Sequence, residues 1–470
     1  MMPSDGAPAA GLALSPMQPI GVIGLWHLGS VTAACLADAG NQVIGIDPDP
    51  VVVEELHDAQ APVSEPGLRE LLLANEARLD FTCDWRALAG ARCAWITFDT
   101  PVDGDDRADV EWVLEHAVEA LVHLPQDALV VVSSQLPVGS IARLDQWCAA
   151  QRGDRGLRFA CVPENLRLGR ALESFRAPDR IVAGVRSERD RSELAELLAP
   201  FSKDVQWMLV ESAEMTKHAL NGFLATSVAF INEVAEICES VGADADEVSR
   251  GLKSEHRIGK DAYLGPGDAF AGGTLARDIG FLRELAGRRG LPAFVFAGVA
   301  DGNAAHKQWT RRKLLELLAE NPREERPLAG RQVAVWGLTY KAGTDTLRRS
   351  SAIELCRWLA GAGAVVRAHD PAVSVLTPEL ASMIELCSSP LDAAAQAEAL
   401  VVCTAWPEFL EVPVEVLLAA LALAQVIDPA GTLAPRLAAR PDVRYLRVGR
   451  PSEIHMHARP EALAAGEAGQ

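Results

Sequence analysis

Short apolar runs, each closed by a glycine or an acid, alternate with helical patterns on both sides of one long helical stretch. Ile20–Ile23 is such a run and ends in Gly24. A helical pattern follows to Ala39 and stops at Gly40, a residue suited to a helix C-terminus. Val43–Ile46 comes next and is closed by Asp47; residues 93–98, 128–132 and 158–162 read as further strands. Alternation of this kind predicts a doubly wound parallel sheet. Across residues 212–241 apolar side chains recur at helical spacing (Met215, Leu220, Leu224, Val228, Ile231, Ala235, Cys238), and Gly242 closes one long helix. A second α/β series begins near Arg331, with strands at 333–336, 365–368, 400–403 and 425–428 and a helix at 352–359. The expected fold is α/β, two doubly wound domains joined by a long central helix.

A chain of 470 residues exceeds one core. The boundaries read as a flexible leader at 1–16, a first α/β domain at 17–205, a central helical region at 206–320, a second α/β domain at 321–457 and a flexible tail at 458–470. The formal net charge of −20 does not steer the chain toward nucleic acid. No apolar run is long enough for a membrane span, and residues 1–16 lack the basic start and apolar centre of a secretory signal. Nine scattered cysteines without a CxxC pair suggest reduced thiols and a cytoplasmic protein. No His/Cys cluster has metal-ligand spacing.

Gly24-Leu25-Trp26-His27-Leu28-Gly29 follows a strand and opens a helix, the setting of a GxGxxG dinucleotide loop. Asp47, about twenty residues on, ends the second strand where an acid would hold ribose hydroxyls. The context predicts NAD. The middle glycine, which lets the backbone approach a pyrophosphate, is Trp26 here. Either the cofactor sits in a shifted pose or the loop binds NAD weakly or not at all. Asp47 is either the ribose acid or a solvated strand end.

Further motifs follow in one order along the chain. Val63-Ser64-Glu65-Pro66-Gly67-Leu68 is similar to "I-x-E-P-G-L". Thr100-Pro101 with Asp103-Gly104 and Asp109 is similar to "T-P … D-G … D", and Pro137-Val138-Gly139-Ser140 to "P-V-G-T". Pro163-Glu164-Asn165-Leu166-Arg167 resembles "P-E-F-L-R", and Pro178-Asp179-Arg180-Ile181-Val182 resembles "P-x-R-I-V". Ala213-Glu214-Met215-Thr216-Lys217, with Asn221 and Asn232-Glu233, resembles "A-E-M-x-K … N … N-E". Lys341-Ala342-Gly343-Thr344-Asp345 with Arg348 and Ser350 resembles "K-x-x-T-D-D-x-R-x-S", and Val448-Gly449-Arg450 resembles the closing "G-R". The ordered set runs from Ile20 to Arg450 and resembles that of the UDP-glucose/GDP-mannose dehydrogenase family. The resemblance implies two Rossmann-like domains, a homodimer, a place in polysaccharide biosynthesis, and oxidation of the C6 alcohol of a nucleotide sugar to a carboxylate with two NAD.

The same resemblance locates a departure. The family's nucleophilic cysteine lies in a stretch like "G-G-S-C-x-P-K-D", and the matching stretch here is Gly272-Gly273-Thr274-Leu275-Ala276-Arg277-Asp278. Thr274 stands for the cysteine and Arg277, on the cofactor side, for the lysine. Glu164, Lys217, Asn221, Thr274 and Asp278 are the implied catalytic set. Gly24, Trp26, Leu28, Gly29, Asp47, Thr100, Pro101 and Arg277 are implied for the cofactor. Arg257, Gly267, Lys341 and Arg348 are implied for the sugar nucleotide. Lys217 and Asn221, four residues apart, share one helix face, functional or merely exposed. Arg257 and Arg348 are phosphate contacts or ordinary surface charges. Cys161 is a substitute nucleophile or a small hydrophobe in a buried strand. Leu168 replaces a family acid, Gln135 a threonine, and no arginine follows Asp428.

Two readings follow. One is an NAD-dependent oxidoreductase on a UDP- or GDP-sugar, altered or limited to the aldehyde. The other is a redox-inactive paralogue that binds a nucleotide sugar or partners an active subunit. Residues 266–278 resemble the GDP-mannose branch and 404–409 the UDP-glucose branch, so base and sugar stay open.

Overall fold

Four-residue strands, four of them buried along their whole length, carry the first sheet of the computed structural model, which describes residues 18–101, 108–152, 156–164, 166–271 and 273–451. The expected leader and tail, Asp103-Gly104, Asn165 and Gly272 lie outside the described residues. The chain divides into two units, 1–220 and 221–470.

In the first unit, β1 (Ile20–Ile23), β2 (Val43–Ile46), β3 (Leu79–Thr82), β4 (Cys93–Ile96), β5 (Leu129–Val132), β6 (Arg158–Cys161), β7 (Ile181–Gly184) and β8 (Val205–Met208) form one sheet ordered β3-β2-β1-β4-β5-β6-β7-β8. The first six strands follow the doubly wound order, which reverses between β1 and β4. Strands covered on both faces need apolar residues at every position. In β5, Leu129 and Val131 feed one core cluster while Val130 and Val132 feed the other. The expectation of a wholly parallel sheet needs one correction: β6 pairs with β7 in antiparallel fashion through Cys161 and Gly184, so the last two strands reverse. Edge strands β3 and β8 escaped the sequence reading because each is only partly buried and breaks the apolar run.

The second unit contains β9 (Gln332–Trp336), β10 (Val365–His369), β11 (Ile384–Leu386), β12 (Ala399–Val402), β13 (Gln425–Ile427) and β14 (Arg444–Leu446). Their order, β11-β10-β9-β12-β13-β14, repeats the doubly wound pattern, and every pairing is parallel. Alternate residues of β9 again serve two faces, Val333 and Val335 on one, Ala334 and Trp336 on the other.

Five helices position the candidate residues: α1 (His27–Asp38), α2 (Val210–Val241), α3 (Thr274–Arg288), α4 (Phe294–His306) and α5 (Ser351–Gly361). Helix α2 is the long helix expected at 212–241, starting two residues earlier, and the division between units falls within it. Helix α1 is buried from Leu28 to Ala37, as a helix apolar on all sides must be. No described helix is long and apolar enough to cross a membrane.

Candidate active-site residues and their surroundings

The first glycine loop keeps two of its three glycine functions. Gly24 has φ +90°, and a Cβ there would come within 2.5 Å of the Phe98 ring. A Cβ on Gly29 would lie 1.7 Å from the Gly24 carbonyl, so only glycine lets α1 start this close to β1. Trp26 sits between them as the N-cap of α1 and is 49% exposed. The indole therefore does not collapse into the loop. It stands at the helix N-terminus, where backbone N–H groups would meet a pyrophosphate.

Asp47 is buried at the end of β2. It accepts Leu25 N at 2.6 Å and Asp49 N at 2.9 Å. Burial pushes its carboxyl up, against the pull of those two donors. It is thus not a solvated strand end. A carboxylate accepts roughly four hydrogen bonds, so capacity remains for a diol.

The second sheet repeats this device with a different outcome. Gly337, at φ +87°, follows β9, and Leu338 N donates to Asp370 Oδ2 at 2.7 Å. The same oxygen also accepts Thr339 N at 2.9 Å, Thr339 Oγ1 at 3.0 Å and Trp406 Nε1 at 3.1 Å. Ala372 N takes the other oxygen at 2.9 Å. Asp370 is consumed by its own loop and has no room for a ribose diol. No spacing in the sequence links Asp370 to Trp406; only folding shows that they meet.

Beyond the carboxyl ends of β4 and β5, Thr100 Oγ1 donates to the Gln135 carbonyl at 2.7 Å, and the Pro101 carbonyl accepts Asp109 N at 2.8 Å. Nearby, Ser134, Gln135, Cys161, Glu164, Lys217 and His218 help line a narrow recess. Lys217 Nζ donates to the Glu164 carbonyl at 2.6 Å and lies 3.6 Å from its carboxylate. Glu164 Oε1 in turn accepts Leu166 N at 2.6 Å. Lys217, with 12% of its side chain exposed, is no ordinary surface lysine. Cys161 is 4% exposed, and burial pushes its thiol up, away from the thiolate a nucleophile needs.

In the second unit, Asn221 Nδ2 donates to Asp278 Oδ2, and both side chains are buried. Thr274 is the exposed first residue of α3, after Gly273 at φ +132°, and Asp278 follows one turn later. Arg277 occupies the same first turn, where its N–H donates to the Gly273 carbonyl at 2.8 Å. A Cβ on Gly273 would come within 3.5 Å of the Tyr340 hydroxyl and of the Arg349 guanidinium. Sequence reading stopped at the neighbours Lys341 and Arg348, which are both exposed on the loop between β9 and α5. Tyr340 N closes that loop on the Thr346 carbonyl at 2.9 Å, and Ser350 caps α5. Arg257 is exposed and pairs with Glu255 at 3.0 Å. Leu168 is exposed as well. Gly267 is buried, with its N–H on Asn232 Oδ1 at 3.0 Å. Among the described residues no group of three or more His, Cys, Asp or Glu side chains could hold a metal ion.

Comparison with known proteins adds to this geometry. Residues 18–202 match the model of the UDP-glucose/GDP-mannose dehydrogenase family, NAD binding domain; residues 211–305 match its central domain and 334–435 its UDP binding domain. The UDP-glucose 6-dehydrogenase of Pseudomonas aeruginosa is 34% identical over 453 residues, covering 93% of this chain and 98% of that one. A solved UDP-glucose dehydrogenase from Pyrobaculum islandicum superposes with a TM-score of 0.77 at 30% identity, over 90% of this chain and 96% of the other. An NDP-N-acetyl-D-galactosaminuronic acid dehydrogenase from Methanosarcina mazei shares the fold, with a TM-score of 0.80 at 22% identity over 94% and 97% of the two chains.

Proposed function

Because the chain belongs to the UDP-glucose/GDP-mannose dehydrogenase family, we propose that it takes NAD on its first sheet and a nucleotide sugar on its second unit, and that its oxidation at C6 ends at the aldehyde. The observation that carries this reading is Thr274 at the first position of α3, one turn before a buried Asp278 held by Asn221. A hydroxyl there supports neither thiohemiacetal nor thioester formation at neutral pH. The contrast between Asp47, with spare acceptor capacity, and Asp370, with none, favours the first sheet for the dinucleotide. NAD, when bound, accepts a hydride from the carbon being oxidised. Lys217, pinned by the Glu164 carbonyl, is a preorganised cation for a developing alkoxide. Asp278, oriented by Asn221, is suited to holding water. UDP-glucose is the first ligand to test, because the curated relatives carry that name and the last matched domain is a UDP binding domain.

Calorimetric titration with NAD and with UDP-glucose tests the reading. Both should bind, and a protein that binds neither sinks it. A protein that binds the sugar nucleotide but not NAD is the redox-inactive paralogue, a reading favoured by the exposed Trp26. Removing that indole should help the cofactor. Trp26→Gly is expected to tighten NAD by about tenfold, ~1.4 kcal/mol, as the backbone regains access to the pyrophosphate. Unchanged affinity would show that the side chain stands clear of the cofactor.

Lys341 and Arg348 are proposed for the diphosphate. A charge-assisted contact is worth about 1.5–3 kcal/mol, so Arg348→Ala should weaken UDP-glucose binding roughly tenfold or more. An unaltered dissociation constant would return Arg348 to the surface. The homodimer is also proposed, on Phe223, Phe230 and Ile237. They recur every seven residues along α2, all exposed in the single chain. Light scattering should give twice the 50.2 kDa chain mass, and Phe230→Glu should return the monomer mass. A monomeric native protein would refute this.

A further inference from the structure

Residues 265–271, the loop holding Gly265 and Gly267, have no regular secondary structure, yet side chains from two helices pair their backbone as a neighbouring strand would. Asn232 on α2 accepts Gly267 N at 3.0 Å and donates to the Asp268 carbonyl at 3.2 Å. Asn303 on α4 accepts Phe270 N at 2.9 Å and donates to the Phe270 carbonyl at 2.9 Å. His306, three residues further along α4, reaches the Gly267 carbonyl with Nε2 at 2.8 Å and Glu236 Oε1 with Nδ1 at 2.7 Å. All three clasping side chains are buried. Phe270 adds an apolar anchor against Ala225, Ile279 and Val299, one residue from each of α2, α3 and α4.

His306 ties the loop to α2 through its partners. A peptide carbonyl only accepts, and so does an ionised carboxylate. Burial alone would raise the Glu236 carboxyl, but His306 and Arg312 together hold it below the usual range. Arg312 reaches its second oxygen at 2.6 Å. His306 thus bridges the Gly267 carbonyl to Glu236 on α2, at 2.8 Å and 2.7 Å.

We propose that Asn232, Asn303 and His306 are positioning residues that hold the loop at 265–271 in one backbone conformation for the nucleotide sugar. The proposal rests on the reading that this loop meets that ligand. Two glycines make the segment costly to order, because glycine loses the most backbone freedom on folding. A loop free to wander would bind only through the fraction of chains in the competent form, and the apparent affinity falls by that fraction. The clasp meets this ordering cost when the unit folds, so binding does not.

Amide exchange and calorimetry together test the clasp on the full chain. In Asn232→Ala the Gly267 amide, and in Asn303→Ala the Phe270 amide, should exchange at least about tenfold faster, since each loses its acceptor and about 1.4 kcal/mol or more of protection. Both variants should bind UDP-glucose about fivefold or more weakly while the NAD dissociation constant stays put. Any turnover should show the loss in KM and not in kcat. His306→Gln keeps one donor for the Gly267 carbonyl and should recover much of what His306→Ala loses; it also serves if an asparagine variant fails to fold. Unchanged exchange at both amides would overturn the clasp. Faster exchange with unaltered UDP-glucose affinity would overturn its positioning role. If the native protein binds UDP-glucose nowhere, the functional reading and the positioning role fall together, while the exchange data still decide whether the clasp exists.

Discussion

Given UDP-glucose or GDP-mannose and NAD, the purified protein should yield no uronic acid and at most one NADH per sugar consumed. The first oxidation turns a primary alcohol into an aldehyde, with a hydride to NAD and a proton to solvent. The second needs a tetrahedral adduct on the aldehyde carbon that can surrender another hydride. A thiol forms that adduct readily; loss of the second hydride to NAD and of a proton gives a thioester, which water cleaves to the carboxylate and the free thiol. Thr274 offers an alcohol instead, and Asp278, one turn away, is a weak base for it. Cys161 is no substitute, because burial keeps its thiol protonated. Thr274→Cys alone should not restore the acid, since Trp26 and Leu168 remain as departures around the cofactor loop and the "P-E-F-L-R" stretch. Mass spectrometry of the products with NADH counted per sugar decides the matter. Two NADH and a carboxylate from the native chain would mean that water, through the hydrated aldehyde, or another group supplies the adduct.

How far the sequence could be read depended on the range of the interactions involved. Central strands such as β1 and β5 were legible because burial on both faces demands an unbroken apolar run. Helix α2 was legible because its inward face repeats at helical spacing. The edge strands were not, since partial burial leaves no run to see. Nor was the reversal at β7, because strand direction within a sheet is a tertiary property. Site residues followed the same division. Asp47 could be located from its distance to the glycine loop, whereas Asp370 sits at the equivalent place and differs through Thr339 in its own loop and Trp406, thirty-six residues on. Asn232 was visible as half of a motif, but its partners Asn303 and His306 lie on another helix with no spacing that links them.

Replacing Lys217 by methionine should have the largest effect of any single substitution on aldehyde formation. The ammonium is fixed by the Glu164 carbonyl at 2.6 Å and is near its carboxylate at 3.6 Å, so it needs no reorganisation as charge develops on the sugar oxygen. Removing one preorganised donor of this kind typically costs about 10²–10³ in kcat, or ~2.7–4 kcal/mol. Binding of UDP-glucose and NAD should change far less, because the stabilisation is felt in the transition state. A purely structural lysine would behave differently: it ties the stretch at 163–166 to α2, so its loss would lower Tm and leave the rate per folded molecule intact. Glu164 keeps its bond to Leu166 N at 2.6 Å in either case, which limits the collapse of that stretch. Lys217→Arg separates the two roles further, since it preserves the charge and the tie to the carbonyl but not the position of a single compact ammonium. It should retain the native Tm and recover only part of the rate. A methionine variant that forms NADH at the native rate would remove Lys217 from the chemistry. A native chain that forms none would leave the redox-inactive paralogue as the reading to pursue.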